Sequence, residues 1–245
     1  MKQNLLYIFI ITVFVSCTSD KYKTQLLGNW YFYNKPVKAK HLNEFKIYRD
    51  SVVINDFMGR TTAKWKANEK QIYLYDIKGF HDRTELTYEY KLKDKHLLDL
   101  KVYGDSIIEF KNIIKANDAF DFLQKSIKLK IDLPKTKKYL KQIGNSEFSF
   151  TIYAGYIDEQ LMFKTDISPN LNNINNEISD FKKELNPLPI SKARFNLITD
   201  KNIAKSKIDS LKNILNQTSI KRIIRIFKND SIDYKNNLIW YGKTE

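Results

Sequence analysis

Leu26-Leu27-Gly28-Asn29-Trp30-Tyr31-Phe32 is the stretch on which the fold turns. It reads as the first strand of a β domain, with Trp30 as a core aromatic. Downstream of it, alternation dominates. Phe45, Ile47 and Val53 lie among polar neighbours, with Asp50-Ser51 as a hairpin turn. Ile72, Leu74, Tyr73 and Tyr75 make a short run that Asp76 closes. Leu86, Tyr88 and Tyr90 alternate, then Leu98, Leu100 and Val102, and Ile107, Ile108 and Phe110 follow Gly104-Asp105. Such runs recur about every ten residues, with Asn, Asp, Lys and Gly between them, which predicts a meander of hairpins closing as a barrel or sandwich. No helical period competes before about residue 116.

The Gly28-Asn29-Trp30 opening resembles that of lipocalins and of lipocalin-like domains in bacterial lipoproteins. The resemblance implies that the glycine permits a close backbone approach near the barrel floor and that Trp30 plugs the closed end. A barrel of this kind is either filled with side chains or hollow enough for one small apolar ligand, and the filled form is the expectation.

Upstream, Lys2 gives a positive start and Leu5 to Val15 an apolar run. As a helix those eleven residues span roughly 17 Å, against a hydrocarbon core of about 30 Å. The segment therefore reads as a signal peptide. It ends in Phe14-Val15-Ser16-Cys17, which resembles a bacterial lipobox except for Phe14 in place of the usual Leu. The resemblance implies cleavage before Cys17, a diacylglycerol on its thiol and acylation of the new amine. Cys17 is the single cysteine of the 245 residues, which excludes an intramolecular disulfide and a thiolate metal cluster. The expected address is the bacterial cell envelope, lipid-anchored, on the periplasmic face of the outer membrane.

From residue 116 the pattern changes. Asn117-Asp118 to Ser126 predicts a short helix with Phe120, Leu123 and Ile127 on one side. Lys128 to Pro134 reads as a strand stopped by proline. Phe148, Phe150 and Ile152 form another, and Gly155 allows a turn into Leu161-Met162-Phe163. Ser168-Pro169 has the form of a helix start, Ser as N-cap and Pro at the first helical position. Leu171, Ile174, Ile178, Phe181 and Leu185 give that helix its stripe, and Asn186-Pro187-Leu188-Pro189 ends it. A βαβ unit follows: strand Phe195 to Thr199, helix stripe Ala204, Ile208, Leu211 and Leu215, strand Ile223 to Phe227. Ile232, Tyr234 and Leu238 to Tyr241 suggest an edge strand. The fold class is thus α+β, with a signal peptide over 1–17, a β domain over 18–115, a linker helix over 116–126 and a small mixed α/β domain over 127–245.

The second domain resembles the periplasmic part of the ExbD/TolR biopolymer-transport family. The residues that carry this are Ile131-Asp132-Leu133-Pro134, the strand Phe148 to Tyr153, Leu197-Ile198-Thr199-Asp200-Lys201 and Ile220-Lys221-Arg222-Ile223. Family members couple proton-motive force through an aspartate in a membrane helix, which this chain lacks. What the resemblance leaves is dimerising, as a homodimer, or binding peptidoglycan or another envelope protein. Asp200 at a strand–helix junction reads as an N-cap before it reads as a binding group. Lys135, Lys137, Lys138 and Lys141 read as a solvated basic turn, or as a contact for acidic peptidoglycan or lipid headgroups.

The net charge of +14 comes from 36 lysines and only six arginines against 28 acids. Phosphate and base recognition lean on the arginine fork, and the Lys, Ile and Asn bias matches an AT-rich coding sequence. The charge divides evenly, +6 over residues 18–115 and +7 over 116–245. No nucleic-acid partner is therefore expected. His41, His81 and His96 show no metal-ligand spacing, and no HExxH, GxSxG or phosphate loop occurs. His81-Asp82 reads as a turn. The expectation is no metal, no cofactor and no catalytic residue: a membrane-anchored binding or scaffold protein. The alternatives are a carrier of a small apolar ligand in the barrel and an unrecognised hydrolase.

Overall fold

The computed structural model describes residues 21–32, 42–56, 59–79, 83–104, 109–143, 148–185, 190–228 and 241–244. The chain divides into two units at Asp118/Ala119.

The first unit is a closed antiparallel barrel of eight strands: β1 Gly28–Phe32, β2 Glu44–Ile47, β3 Val52–Asp56, β4 Gly59–Ala67, β5 Gln71–Lys78, β6 Glu85–Asp94, β7 Leu97–Val102 and β8 Lys111–Lys115. Each strand pairs with the next, and β1 pairs with β8 through Trp30↔Lys115 and Tyr31↔Ile114 to close the ring. A closed antiparallel barrel is consistent with the lipocalin resemblance. Alternate residues point inward. Trp30, Phe45, Trp65, Leu74, Tyr90 and Leu98 belong to one buried cluster, so packed side chains occupy the interior. Burying a side chain of this kind contributes about 1.5–3 kcal/mol. Their polar tips reach backbone carbonyls: Trp30 Nε1 donates to Leu26 at 2.7 Å, Trp65 Nε1 to Tyr48 at 2.8 Å and the Tyr90 hydroxyl to Asn68 at 2.7 Å.

Gly28 has φ +127°, a conformation that disfavours any Cβ, and an added Cβ would lie 2.6 Å from Lys115 Cε. The Lys115 ammonium sits 5.3 Å over the Trp30 ring, and burial lowers its pKa. Several details differ from the sequence reading. A helix, α1, covers residues 21–26 and delivers the fully buried Leu26 to the core. Its described residues are too few to show a period. Asp76 does not end its strand. It has φ +53°, next to a register shift between β4 and β5, and β5 continues to Lys78. Strand β4 went unread because its inward residues beside Trp65 include Ala63 and Ala67, which carry little apolar signal. Phe110 precedes β8, and Ile107 and Ile108 lie outside the described residues.

The second unit holds a six-stranded mixed sheet in the order β11-β10-β12-β13-β14-β9: β9 Lys141–Gln142, β10 Ser149–Ile157, β11 Gln160–Thr165, β12 Arg194–Thr199, β13 Ile223–Phe227 and β14 Tyr241–Thr244. Strands β10, β12 and β13 run parallel, with Phe150, Phe195 and Ile223 in one row. Its helices are α2 Ala119–Ile127, α3 Ile174–Leu185 and α4 Lys205–Asn216. All six residues of β12 are buried, as expected of a central parallel strand covered on both faces. Phe150, Phe195 and Leu197 pack with Ile174, Ile178, Leu211 and Leu215 of α3 and α4.

Here too the structure corrects the reading. Helix α2 buries Ala119, Phe122 and Leu123, not the row Phe120, Leu123, Ile127. Residues 128–134 form an extended strap with a single bridge, Lys130↔Tyr156, instead of a strand. Gly155 lies inside β10, where an added Cβ would stand 2.5 Å from the Lys130 carbonyl, so it admits the strap and makes no turn. Ser168-Pro169 does not start α3. The Thr165 hydroxyl accepts the Ser168 N–H at 2.8 Å and holds the segment as a turn, so the helix begins at Ile174. Ala204 is exposed, and Ile203 is buried in its place. Tyr241 lies in β14, flanked by β13 and β9, so it is not on an edge; Ile232, Tyr234 and Leu238 to Trp240 lie outside the described residues, as do Asn186 to Pro189.

Candidate functional site

An open groove of about 960 Å³ lies within the second unit. Four segments line it: α2 (Asp121, Gln124, Lys125), the strap (Lys128 to Lys130 and Asp132), the β10–β11 hairpin tip (Tyr156 to Glu159) and the β12–α4 loop (Asp200 to Asn202). Asp158 and Asp200 directly follow the carboxyl ends of two parallel strands, the place where open α/β sheets bind ligands.

Asp200 organises the floor. It is 4% exposed, and its two carboxylate oxygens accept the backbone N–H of Asp132 at 2.6 Å and of Asn202 at 2.8 Å. It is thus a latch for the strap and not the cap of α4, whose N-cap is Ala204 without a side-chain bond. The latch is reciprocal, because the Lys201 N–H donates to the Asp132 carbonyl at 2.7 Å. Above it, the Lys201 ammonium meets the Asp132 carboxylate at 2.5 Å. That bond holds the Asp132 pKa below the usual carboxylate value and raises that of Lys201. Both side chains are about half exposed, so water screens the pair.

The strap is fixed along its length. Lys130 and Tyr156 exchange backbone bonds at 3.0 and 3.1 Å, and the Ile131 N–H donates to the Gln124 side chain at 2.8 Å. The Lys164 ammonium donates to the Ile127 carbonyl at 3.0 Å; burial, then the charge of Lys128, lowers its pKa. Asp200 is engaged by two backbone donors, and the groove presents charged side chains of both signs.

Of the residues singled out in the sequence, Asp132, Asp200 and Lys201 meet here. The two motif fragments they belong to are 68 residues apart in the chain. Lys135, Lys137, Lys138 and Lys141 are exposed and lie outside the groove lining, and Lys141 belongs to β9. His96 is an exposed hairpin residue whose N–H donates to Asp94 at 2.6 Å. Cys17, His41, His81 and Asp82 lie outside the described residues. Among the described residues no three His, Cys, Asp or Glu side chains gather as a metal would need. The acids of the hairpin tip, Asp158 and Glu159, went unread, although an acidic pair between Tyr156-Ile157 and Gln160-Leu161 stands where a hairpin turn favours Asn-Gly.

No protein-family model, no curated protein and no solved structure matches the chain.

Proposed function

We infer that the chain is a lipoprotein of the bacterial cell envelope, anchored through lipidated Cys17 at the periplasmic face of the outer membrane. It acts there as a non-catalytic binding or scaffold protein, and its second unit holds peptidoglycan or another envelope protein. The observation that carries this reading is the groove itself, in which Asp132 and Asp200-Lys201, from two of the four fragments that resemble the ExbD/TolR family, are bonded to each other. The parallel strands β12 and β13 with α4 between them in sequence, read as a βαβ unit, support the same resemblance. The packed barrel interior favours a scaffold over a carrier of apolar ligands.

Two measurements test it. The chain from residue 18 onward, free of lipid, is expected to be retained on purified peptidoglycan sacculi at moderate salt; complete flow-through overturns the peptidoglycan reading. Cys17→Ala is expected to shift the protein from the membrane fraction to the soluble one or to stall its processing. Unchanged membrane retention overturns the anchor.

A further inference from the structure

Between Asp132 and Glu147 the chain carries no acid, and it carries four lysines: Lys135, Lys137, Lys138 and Lys141. All four are exposed. Tyr139 stands among them at 85% exposure, the most exposed large hydrophobic side chain among the described residues. A single exposed apolar residue is ordinary on a protein surface. This one is a tyrosine that folding leaves unpacked within a run whose only charges are positive.

The loop is held at both ends. Leu133 is buried, and the Pro134 carbonyl accepts the Lys228 N–H at 2.9 Å. At the far end Lys141 lies in β9, the outer strand of the sheet, where it pairs with Gly242. Between these ends the Thr136 hydroxyl accepts the Lys138 N–H at 3.2 Å. Lys228, itself exposed, adds a further cation beside the base of the loop. Asp132, the acid just before the loop, is already bonded to Lys201. The loop thus gathers its lysines with no carboxylate of its own.

A partner that fits this surface is anionic and takes up an aromatic ring. A small soluble anion meets the first condition alone, and peptidoglycan offers carboxylates without a continuous apolar layer. An anionic bilayer meets both. Its headgroups attract clustered lysines, whose apolar stems lie along the interface. That interface is also where tyrosine keeps its ring apolar and its hydroxyl wet. We propose that the loop of residues 135–141 docks on an anionic phospholipid surface, its lysines over the headgroups and the Tyr139 ring in the interface. This contact is distinct from the groove and from the Cys17 anchor.

The test uses the chain from residue 18, which carries no lipid and no cysteine. The probes are vesicles of phosphatidylglycerol with phosphatidylcholine, and vesicles of phosphatidylcholine alone. Co-sedimentation is expected with the anionic vesicles only, falling as salt rises. Lys137→Gln with Lys138→Gln is expected to weaken partitioning about twentyfold, at roughly fivefold for each lysine. Lys70→Gln with Lys95→Gln removes the same charge from exposed positions of the barrel and is expected to change it by less than about twofold. Tyr139→Ser is expected to cost about tenfold. Tyr139→Cys provides one thiol for an environment-sensitive fluorophore, whose emission is expected to shift to the blue on the anionic vesicles. Each position is exposed, so Tm is expected to hold in every variant. Equal losses from the two lysine pairs would mean that net charge alone binds, and they overturn the proposal. So does sedimentation indifferent to phosphatidylglycerol, or a fluorophore that stays in water. Sacculus retention that depends on Lys137 and Lys138, in a chain that binds no vesicle, assigns the loop to peptidoglycan and overturns it as well. Vesicle docking lost with the loop lysines while sacculus retention persists supports this proposal and leaves the peptidoglycan reading standing. Vesicle docking without sacculus retention supports it and overturns that reading.

Discussion

In the barrel interior, Trp30, Trp65 and Tyr90 send their polar tips to backbone carbonyls. In the mixed-sheet unit the corresponding partners are carboxylates. The Tyr153 hydroxyl donates to Asp166 at 2.6 Å, the Thr165 hydroxyl to Glu177 at 2.5 Å, and Asp200 takes two backbone N–H groups. Neutral contacts to the main chain depend little on their surroundings. Charge-assisted contacts are stronger and more directional, and they cost more to leave unmade. The barrel's large aromatic side chains are thus held by neutral contacts, with Glu44, bonded to Lys46 and Asn55, as a buried acid, whereas several loops of the second unit are held by carboxylates. Of these acids, Asp200 is the one that lines the groove.

The comparison is sharpest if each unit is attacked on its own terms. Trp30→Ala removes a fully buried ring from the barrel. It is expected to cost about 3–5 kcal/mol in urea denaturation, and a loss below about 1 kcal/mol would show that the interior tolerates a void. Asp200→Ala leaves two backbone donors without their partner. The expected cost is about 2–4 kcal/mol, with faster amide exchange at Asp132 and Asn202, and Asp200→Asn should restore part of it. Exchange unchanged at both amides would break the latch. The smallest effect belongs to the exposed pair. The carboxyl of Asp132 is expected to titrate by NMR below its ordinary value near 3.8, and Lys201→Met should move it back up. Because the folded value is the depressed one, the pair's contribution is present above the unfolded value and is lost as pH falls through the folded one. An Asp132 midpoint indifferent to Lys201 would sever the pair.

Six of the eight barrel strands were legible, wholly or in part, because side chains of period two face a single core. The exceptions were β4, where Thr61, Thr62 and Ala63 give a weak pattern and Trp65 alone is large and apolar, and β8, which begins after Phe110, the last residue of the run read there. In the second unit the central strands were legible as short apolar runs, since β12 is buried on both faces, and the ends of elements were not. Ser168-Pro169 matches a helix start in every local respect, yet the Thr165 hydroxyl accepts the Ile167 and Ser168 N–H groups and holds the segment as a turn. Asp200 has the composition of a cap, and its carboxylate is taken by a segment 68 residues away. Local rules describe what a residue offers, and tertiary partners decide what it gives. The groove illustrates this, since its four segments come from residues 121 to 202 and no window of sequence contains more than one or two of them.

Residue 21 already lies in helix α1, four residues after Cys17. Four peptide steps reach at most about 14 Å. That is roughly half the length of the nine-residue strand β4. On the proposed lipid anchor the barrel has almost no leash. It is moored against the bilayer surface, and its encounters are confined to a thin layer in which any partner fixed in the same layer is met at raised effective concentration.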